Sequence, residues 1–475
     1  MLSVCARDKR EGRMGMQAQE EWLGTEPLGR LMARMAIPSV AAQVINVLYN
    51  IVDRVYIGHI PEIGFLALSG VGITFPIITL VTAFGAFSGR GGAPLASICL
   101  GMKDYDGAER ILGTCTAFLL AAAVLLMAVF YGFQTPLLYA FGASDTLIGY
   151  AREYLSIYLL GTPFALVSVG LNTFISGQGN AKVAMVSVMS GAFLNLLLDP
   201  VLIFWFGLGV RGAAAASVVS QAVSAAIILW FLCSKRSVIR LKGRNVRLQK
   251  QTTGRIAALG VSPFVMQSTE SLVTITLNSG LQAYGGDLYV GAMSILSSVL
   301  QLIAVPTQGI TQGVQPIISY NYGAGNKDRV KGAVFRMMGL CLLTSLVLGG
   351  LAVLAPGVYV QLFTTNGDLA ALTKEVMPVF FLGMCIFGLQ DACQGTFLAL
   401  NQAKISVFIA TLRKIILLIP LAILLPKGFG VFGIFCAEPI ADTLSVLTTI
   451  TLFTLFFKHM IEPKNAGKEA SALRK

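Results

Sequence analysis

The chain has 475 residues, of which 55% are hydrophobic and only 12% are charged, with a formal net charge of +12. So little charge cannot cover the surface of a soluble protein of this length, and the composition therefore predicts an integral membrane protein. The positive charge does not indicate a nucleic-acid partner. Most Lys and Arg residues lie in short segments between apolar runs, where they act as topology signals facing an anionic inner leaflet.

Twelve segments are apolar and long enough to cross a membrane, which takes about 20 residues of helix. The second and eighth exceed the length of a straight crossing, so we expect them to tilt or bend. The first half of the chain contains segments 31–58, 65–99, 107–134, 147–174, 181–206 and 211–233. The second half contains 256–284, 288–322, 331–355, 371–399, 403–425 and 430–457.

The two halves of the chain repeat one another. Residues 94–101 (PLASICLG) resemble residues 316–323 (PIISYNYG), which lie 222 positions later. The Leu-Gly pair at 160–161 recurs at 382–383 with the same spacing. Because each half has an even number of spans, both halves enter the membrane in the same direction. The sequence thus predicts an all-α membrane protein with 12 transmembrane helices, built as two parallel six-helix repeats around a central cleft.

The segment that joins the halves is strongly basic. Residues 235–255 carry eight Lys or Arg residues and no Asp or Glu, so we expect this linker and both termini to be cytoplasmic, in the plasma (inner) membrane. The expected organisation is a cytoplasmic N-terminal tail (1–28), an N-lobe (29–234), the linker (235–255), a C-lobe (256–458) and a cytoplasmic C-terminal tail (459–475).

Four polar side chains inside N-lobe spans form a first candidate site. Asn195 and Asp199 are four residues apart and share one helix face. The topology places Asp53 and Ser217 at a similar depth, in the outer half of the membrane. Buried polar groups of this kind usually line a cavity or pair with each other, and these oxygens suit a hard cation or a shared proton. Alternatively, Asp53 pairs with the neighbouring Arg54, and Asp199 belongs to a helix break before a proline.

The C-lobe spans carry a second candidate cluster for a cation or substrate. Glu438 and Asp442 share one helix face, and Arg413 lies in the middle of its span, where it either neutralises one of these acids or contacts substrate. The other members of the cluster are Glu270 and Asp391.

Other polar groups in the spans point to an internal cavity. Gln301, Gln308, Gln312 and Gln315 fall on one helix stripe, as expected for a water-filled cavity or for hydrogen bonding between helices. Arg90 is expected to extend towards the cytoplasmic surface. The chain has no GxxxxGK[ST] motif, no CxxC pair and only two histidines, so we expect no ATP-driven pumping, no resident cofactor and no His- or Cys-based metal site.

Four segments resemble the multidrug and toxic compound extrusion (MATE) family, in particular its bacterial branch of drug exporters and DNA-damage-inducible F-like members. They are 48–58 (LYNIVDRVYIG), 94–101, 195–200 (NLLLDP) and 212–221 (GAAAASVVSQ).

The resemblance implies a cation-coupled antiporter with an N-lobe and a C-lobe around a central cleft. It assigns coupling roles to Asp53, Asn195 and Asp199, which would be the ligands of a Na⁺ ion, and extends to Ser217, where the family often has Thr. One branch uses acids equivalent to Glu270 and Asp391, but with a Tyr where this chain has Phe387.

The sequence therefore predicts a secondary active exporter rather than an enzyme. It would exchange amphiphilic, often cationic, organic compounds for Na⁺ or H⁺ by alternating access, with drugs, the coupling ion and the lipid bilayer as its partners. The alternative is a flippase for a lipid-linked precursor, which would need several converging cations for the pyrophosphate. A channel would need a ring of like side chains, and the two acid clusters form none. The sequence leaves the choice between Na⁺ and H⁺ open.

Overall fold

The computed structural model describes residues 22–364 and 366–462, and this part of the chain is almost entirely helical. In the N-lobe, a π-helical turn at Val201–Trp205 separates α7 from α8. The N-lobe helices are α1 (Leu28–Gly58), α2 (Gly64–Gly101), α3 (Tyr105–Gly132), α4 (Gln134–Ala140), α5 (Ile148–Leu160), α6 (Thr162–Gly177), α7 (Ala181–Pro200) and α8 (Gly209–Cys233).

The C-lobe repeats this order after the linker. A second π-helical stretch, Leu412–Leu418, separates α15 from α16. The C-lobe helices are α9 (Lys250–Gly285), α10 (Asp287–Gly323), α11 (Lys327–Leu354), α12 (Pro356–Phe363), α13 (Gly367–Phe380), α14 (Met384–Ala399), α15 (Ala403–Thr411), α16 (Ile419–Leu424) and α17 (Pro426–Met460).

The helices account for the twelve predicted crossings. Within the described residues, nine helices are long and apolar enough to span a membrane. Two further spans are bent pairs, α5 with α6 at 58° and α13 with α14 at 51°. The twelfth is α9, which has 36 residues and is long enough to cross, although its polar side chains lower its hydropathy. Both bends occur at the Leu-Gly pair repeated between the halves, because glycine packs tightly and weakens a helix.

The internal repeat extends to individual contacts. The Ser97 hydroxyl donates to the Gly177 carbonyl at 2.8 Å, and its counterpart Ser319 donates to the Ala399 carbonyl at 3.0 Å. Each pair is related to the other by 222 residues. A Cβ on Gly212 or on Gly433 would in each case come within 2.7 Å of a backbone carbonyl. The repeated sequence therefore encodes the same packing twice.

The lobes meet at one end of the molecule, the end where the linker packs against α3, which we call the linker side. The Lys242 ammonium forms a salt bridge with Glu109 on α3. At this end α2 and α10 touch closely: a Cβ on Gly101 would lie 2.0 Å from the Tyr320 carbonyl oxygen, and one on Gly323 would lie 2.1 Å from that of Ile98. The largest hydrophobic cluster also contains residues of both lobes. The lobes are therefore closed against each other on the linker side.

Candidate functional site

A cavity of about 600 Å³ lies between the lobes and extends into the N-lobe. Its wall comes from α1, α2 and α5–α8 of the N-lobe and from α9 and α10 of the C-lobe. The size is in the range of small-molecule binding pockets. Its polar lining includes Gln43, Asn46, Asn50, Asp53, Tyr154, Tyr158, Asn195, Ser217, Gln221, Gln267, Gln301, Gln312 and Gln315.

Two buried carboxyl groups meet at the end of the cavity remote from the linker. Asp53 on α1 lines the cavity and is 9% exposed, whereas Asp199 on α7 lies behind it and is fully buried. The two carboxyl groups are within hydrogen-bonding reach of each other. The amide of Asn195 donates to Asp199 Oδ1 at 3.2 Å. One oxygen of each acid, Asp53 Oδ1 and Asp199 Oδ2, has no hydrogen-bond partner within the described residues.

The local sequence explains where Asp199 lies. Pro200 lacks an N–H group and follows Asp199 directly, so the regular helix ends there and continues as the π-helical turn Val201–Trp205. Asn195 is one turn earlier on the same face, as its spacing predicts. Asp199 therefore precedes a helix break, as the alternative interpretation predicted, and also lies against Asp53; its coupling role stays a prediction.

Ser217 on α8 completes the predicted group, together with residues that the sequence reasoning did not single out as site members. Ser217 lines the cavity and is within hydrogen-bonding reach of Tyr154. Tyr158 lies one turn from Tyr154, their rings are stacked with centroids 6.1 Å apart, and the Gln221 amide donates to the Tyr158 hydroxyl at 3.3 Å. The four-residue spacing of the two tyrosines was the available signal for a shared face.

The glutamine stripe is only partly as predicted. Gln301, Gln312 and Gln315 line the cavity, but Gln308 is exposed and lies outside its lining. The Gln43 amide donates to Gln312 across the lobes at 2.8 Å. Amide side chains thus line the cavity and also bind one lobe to the other.

The arginines near the cavity differ from expectation. Arg90 lines the cavity instead of extending to the surface, since its helix packs tightly against α6 and α9 through Gly89 and Gly91. Arg54 also lines the cavity, and its guanidinium carbon lies 4.3 Å from the centre of the Phe75 ring. Arg54 therefore stacks on an aromatic face and forms no salt bridge with Asp53 within the described residues.

The second predicted cluster forms an ion network inside the C-lobe, away from the cavity lining. Arg413 Nε donates to Asp442 Oδ1 at 2.6 Å, and an Arg413 Nη2 group donates to Glu438 Oε1 at 3.0 Å. The guanidinium also lies over the Phe387 ring at 4.2 Å. Of the two roles considered for Arg413, the geometry favours neutralisation of these acids.

Glu270 has a partner that the sequence reasoning missed. It forms a salt bridge with Lys414, whose ammonium also donates to the Met266 carbonyl at 2.8 Å. Arg413 and Lys414 are adjacent in sequence and lie in the π-helical stretch Leu412–Leu418. The two cations reach acids on different helices: Arg413 binds Glu438 and Asp442 on α17, whereas Lys414, which is 8% exposed, binds Glu270 on α9, which is 57% exposed.

Asp391 lies apart from these ion pairs. It accepts a hydrogen bond from the Thr307 hydroxyl at 2.8 Å. Both Arg413 and Arg90 are within electrostatic reach of it. The structure thus brings Arg413, Glu438 and Asp442 together and places Glu270 and Asp391 in separate contacts.

Comparison with known proteins supports the arrangement of two similar lobes. The MatE family model matches residues 38–201 and again residues 263–424. The multidrug export protein MepA of Staphylococcus aureus (strain MSSA476) is 24% identical over 433 residues, covering 90% of this chain and 94% of MepA. MepA of Staphylococcus haemolyticus is also 24% identical, over 427 residues, covering 90% of this chain and 93% of that protein.

Solved structures show the same fold. A crystal structure of MATE in the bent conformation superimposes with a TM-score of 0.87 at 20% identity, covering 94% of this chain and 99% of that one. An outward-facing multidrug resistance MATE family transporter of the MOP superfamily gives 0.86 at 20% identity, covering 93% and 98%. With both lobes matched by the family model, as the sequence motifs predicted, the chain belongs to the MatE family of membrane transporters.

Proposed function

We propose that this protein exports amphiphilic, often cationic, organic compounds in exchange for Na⁺ or H⁺. The name of its relatives, multidrug export protein, supports the substrate class. The observation that carries the coupling proposal is the buried acid pair. Asp53 and Asp199 lie against each other, and each keeps one oxygen without a partner within the described residues, at the end of a cavity large enough for a drug.

The acid pair can bind a proton or a Na⁺ ion with the same atoms. Two carboxylates in contact repel each other when both are ionised, and a single positive charge between them removes that repulsion. Asn195 holds Asp199 in place from the same helix. Asp53 lies on α1, and α1 packs against α10 of the opposite lobe, so neutralising the pair can act on the contact between the lobes.

The exchange then follows from alternating access. A cation that binds the acid pair from outside competes with a positively charged compound in the cavity, which is released outwards, and the lobes then rock to open the linker side. The apolar lining and the amides of the cavity suit amphiphiles of varied shape.

The cavity lining does not favour the flippase alternative. Among the described residues its charged side chains are Asp53, Arg54 and Arg90, so the wall itself is less acidic than the sequence suggested. Arg54 of α1 stacks on Phe75 of α2. Arg90 lies on α2, 15 residues after Phe75, which corresponds to about 22 Å along the helix. The two arginines therefore do not converge on one point, as binding of a pyrophosphate would require.

We further propose the topology and domain limits given by the charge pattern. Both termini and the basic linker would be cytoplasmic in the plasma membrane, with the lobes at 29–234 and 256–458. The even number of spans in each lobe and the many cations on the linker side support this orientation.

Dye transport tests the coupling proposal. Proteoliposomes containing the protein would be given either a Na⁺ gradient or a pH gradient. The movement of a fluorescent cationic dye across their membrane would then be measured. We expect wild type to move dye with one of these gradients, and Asp53→Asn and Asp199→Asn to fall to background, because an amide cannot take up the coupling charge.

The matched control is Asp368→Asn, the same substitution at an exposed position in the first turn of α13, which should transport normally. Normal gradient-driven transport by well-expressed Asp53→Asn would refute the coupling role. If wild type moves no dye with either gradient, the drug-export proposal is wrong and transfer of a labelled lipid-linked substrate should be assayed.

A further inference from the structure

The acids of the two lobes differ in whether the protein supplies their counter-charge. In the N-lobe, Asp53 and Asp199 make no salt bridge within the described residues. In the C-lobe, Glu438 and Asp442 share Arg413, and Glu270 is paired with Lys414. Buried charges in proteins need a partner; Glu438 and Asp442 have one built into the chain, whereas Asp53 and Asp199 have none within the described residues.

The C-lobe network has the form of an occupied cation site. Two carboxylates four residues apart on α17 and the face of Phe387 enclose one guanidinium. Arg413, Glu438 and Asp442 have side chains only 12%, 7% and 1% exposed. Carboxylates and an aromatic face are the groups that bind organic and inorganic cations.

The internal repeat shows what the charged side chains replace. A shift of 222 residues takes Arg413 and Lys414 to N-lobe positions occupied by the small residues Gly191 and Ala192, and the shift of 221 that relates Gly433 to Gly212 takes Asp442 to Gln221. All three N-lobe residues line the cavity. The guanidinium and the ammonium of the C-lobe therefore fill the region that is open space in the N-lobe.

The converse shift takes two of the coupling residues to apolar side chains. Asn195 and Asp199 correspond to C-lobe positions occupied by Leu417 and Leu421. The C-lobe thus lacks the N-lobe acid pair, and its own acids lie at other positions of the repeat.

We infer that Arg413 and Lys414 are tethered occupants of a second cation site in the C-lobe, and that they restrict ion coupling to the N-lobe. A cation on a side chain cannot be exchanged between the two sides of the membrane, so the site is filled but does not drive transport. When these two charges are removed, Glu438 and Asp442 become a binding site for Na⁺ or H⁺. This inference rests on the proposed function, because it assumes coupling through Asp53 and Asp199.

Direct ion binding to the purified full-length protein tests the inference. The first probe is radioactive Na⁺, whose binding is counted directly. The second probe is the proton: a pH indicator dye reports protons that the protein releases when Na⁺ is added, or takes up after a pH jump. We expect Asp53→Asn to lose the specific binding seen in wild type. In the Asp53→Asn background, Arg413→Gln with Lys414→Gln should restore binding of Na⁺ or H⁺.

Two further variants guard against misfolding and identify the ligands. Arg413→Lys keeps the charge and should bind no additional ion. Adding Glu438→Gln and Asp442→Asn to the Asp53→Asn, Arg413→Gln and Lys414→Gln variant removes the two carboxylates that Arg413 neutralised. The restored binding should then be lost, while the neutral cluster still folds.

The possible failures are distinguishable. If Asp53→Asn keeps ion binding that Glu270→Gln or Asp391→Asn abolishes, the native C-lobe already exchanges ions and the inference is wrong. If the Asp53→Asn, Arg413→Gln and Lys414→Gln variant elutes as a folded protein but binds neither ion, the inference is also wrong. Normal ion-driven dye transport by Asp53→Asn alone would instead refute the proposed function.

Discussion

At the scale of single residues, Gln178 shows how one side chain fixes the linker. It caps the end of α6 and is 1% exposed. Its Oε1 atom accepts three hydrogen bonds, from the Ser237 hydroxyl at 3.0 Å and from the backbone N–H groups of Val238 and Ile239 at 2.8 and 3.1 Å. A buried acceptor with three donors holds the first part of the linker against the N-lobe.

Gln178→Ala should release this part of the linker. Two buried N–H groups lose their partner, at a cost of about 1–3 kcal/mol for each group left unsatisfied. We expect trypsin, which cleaves after the many Lys and Arg residues here, to cut the linker faster in the variant. Gln178→Glu retains an acceptor oxygen and should be cleaved at close to the wild-type rate. Equal cleavage of Gln178→Ala and wild type would mean that the linker is held by its other contacts.

At the scale of helices, the spans could be predicted from the sequence because apolar length is a local property. The prediction of α1 as 31–58, for example, differs from the structure by three residues. Contacts that depend on backbone detail could not be predicted. Lys414 pairs with Glu270 on a helix that is distant in sequence, and it does so from a π-helical stretch that the hydrophobic periodicity does not reveal.

In the candidate site, too, local features could be predicted from the sequence, whereas contacts between distant segments could not. Asn195 and Asp199 were recognisable from their spacing on one helix, whereas the contact of Asp199 with Asp53 joins residues 146 positions apart on two helices. Topology predicted a shared depth for these groups, but only packing shows that they touch. Tyr154 and Tyr158 are ordinary aromatic residues in sequence and become site residues through the position of α5.

The start of α11 and the segment before α1 form a second contact at the linker side. Leu23 is fully buried, and its carbonyl accepts hydrogen bonds from Asn321 at 3.0 Å and from Arg329 at 3.2 Å. Arg329 also donates to the Glu26 carbonyl at 2.8 Å. Trp22, by contrast, packs against Gly179 of the N-lobe. Residues 22–26 therefore bridge the two lobes where they are closed.

Arg329→Gln should favour opening on the linker side. Hydrogen bonds from a charged group contribute about 1.5–3 kcal/mol each, and these bonds join parts that must separate when the lobes rock. The measurement uses a background in which the native cysteines are replaced and Gln315→Cys places one cysteine in the cavity. In inside-out vesicles, we expect a polar maleimide to label this cysteine faster when Arg329→Gln is added than when Arg329 is retained. Lys331→Gln, on the same helix, is the control. Unchanged labelling of Arg329→Gln would show that this contact does not hold the gate.

At the scale of the whole molecule, the lobes pack through a reciprocal backbone contact. Gly101 of α2 lies against the Tyr320 carbonyl, and Gly323 of α10 lies against the Ile98 carbonyl. A side chain at either glycine would collide with the backbone of the other lobe. Closure on the linker side therefore depends on the absence of a Cβ at two symmetric positions.

Gly101→Ala should block closure without unfolding either lobe. A Cβ would lie 2.0 Å from the Tyr320 oxygen, and overpacking of this kind costs about 1–3 kcal/mol. The closed population should therefore fall by roughly 5- to 150-fold, and dye transport should fall with it. Gly339→Ala, at an open position on α11, makes the same change in helix propensity and should keep full transport. Normal transport by Gly101→Ala would mean that the lobes need not approach this closely.

The reciprocity of this glycine contact bears on how a chain of this kind could arise. Because each half offers the other the same helix end, two identical half-length chains could have paired through one self-complementary face before a gene duplication joined them. Such an ancestor would have carried two equal copies of every internal site. The halves of the present chain are no longer equal, because the C-lobe has Arg413 and Lys414 where the N-lobe has Gly191 and Ala192.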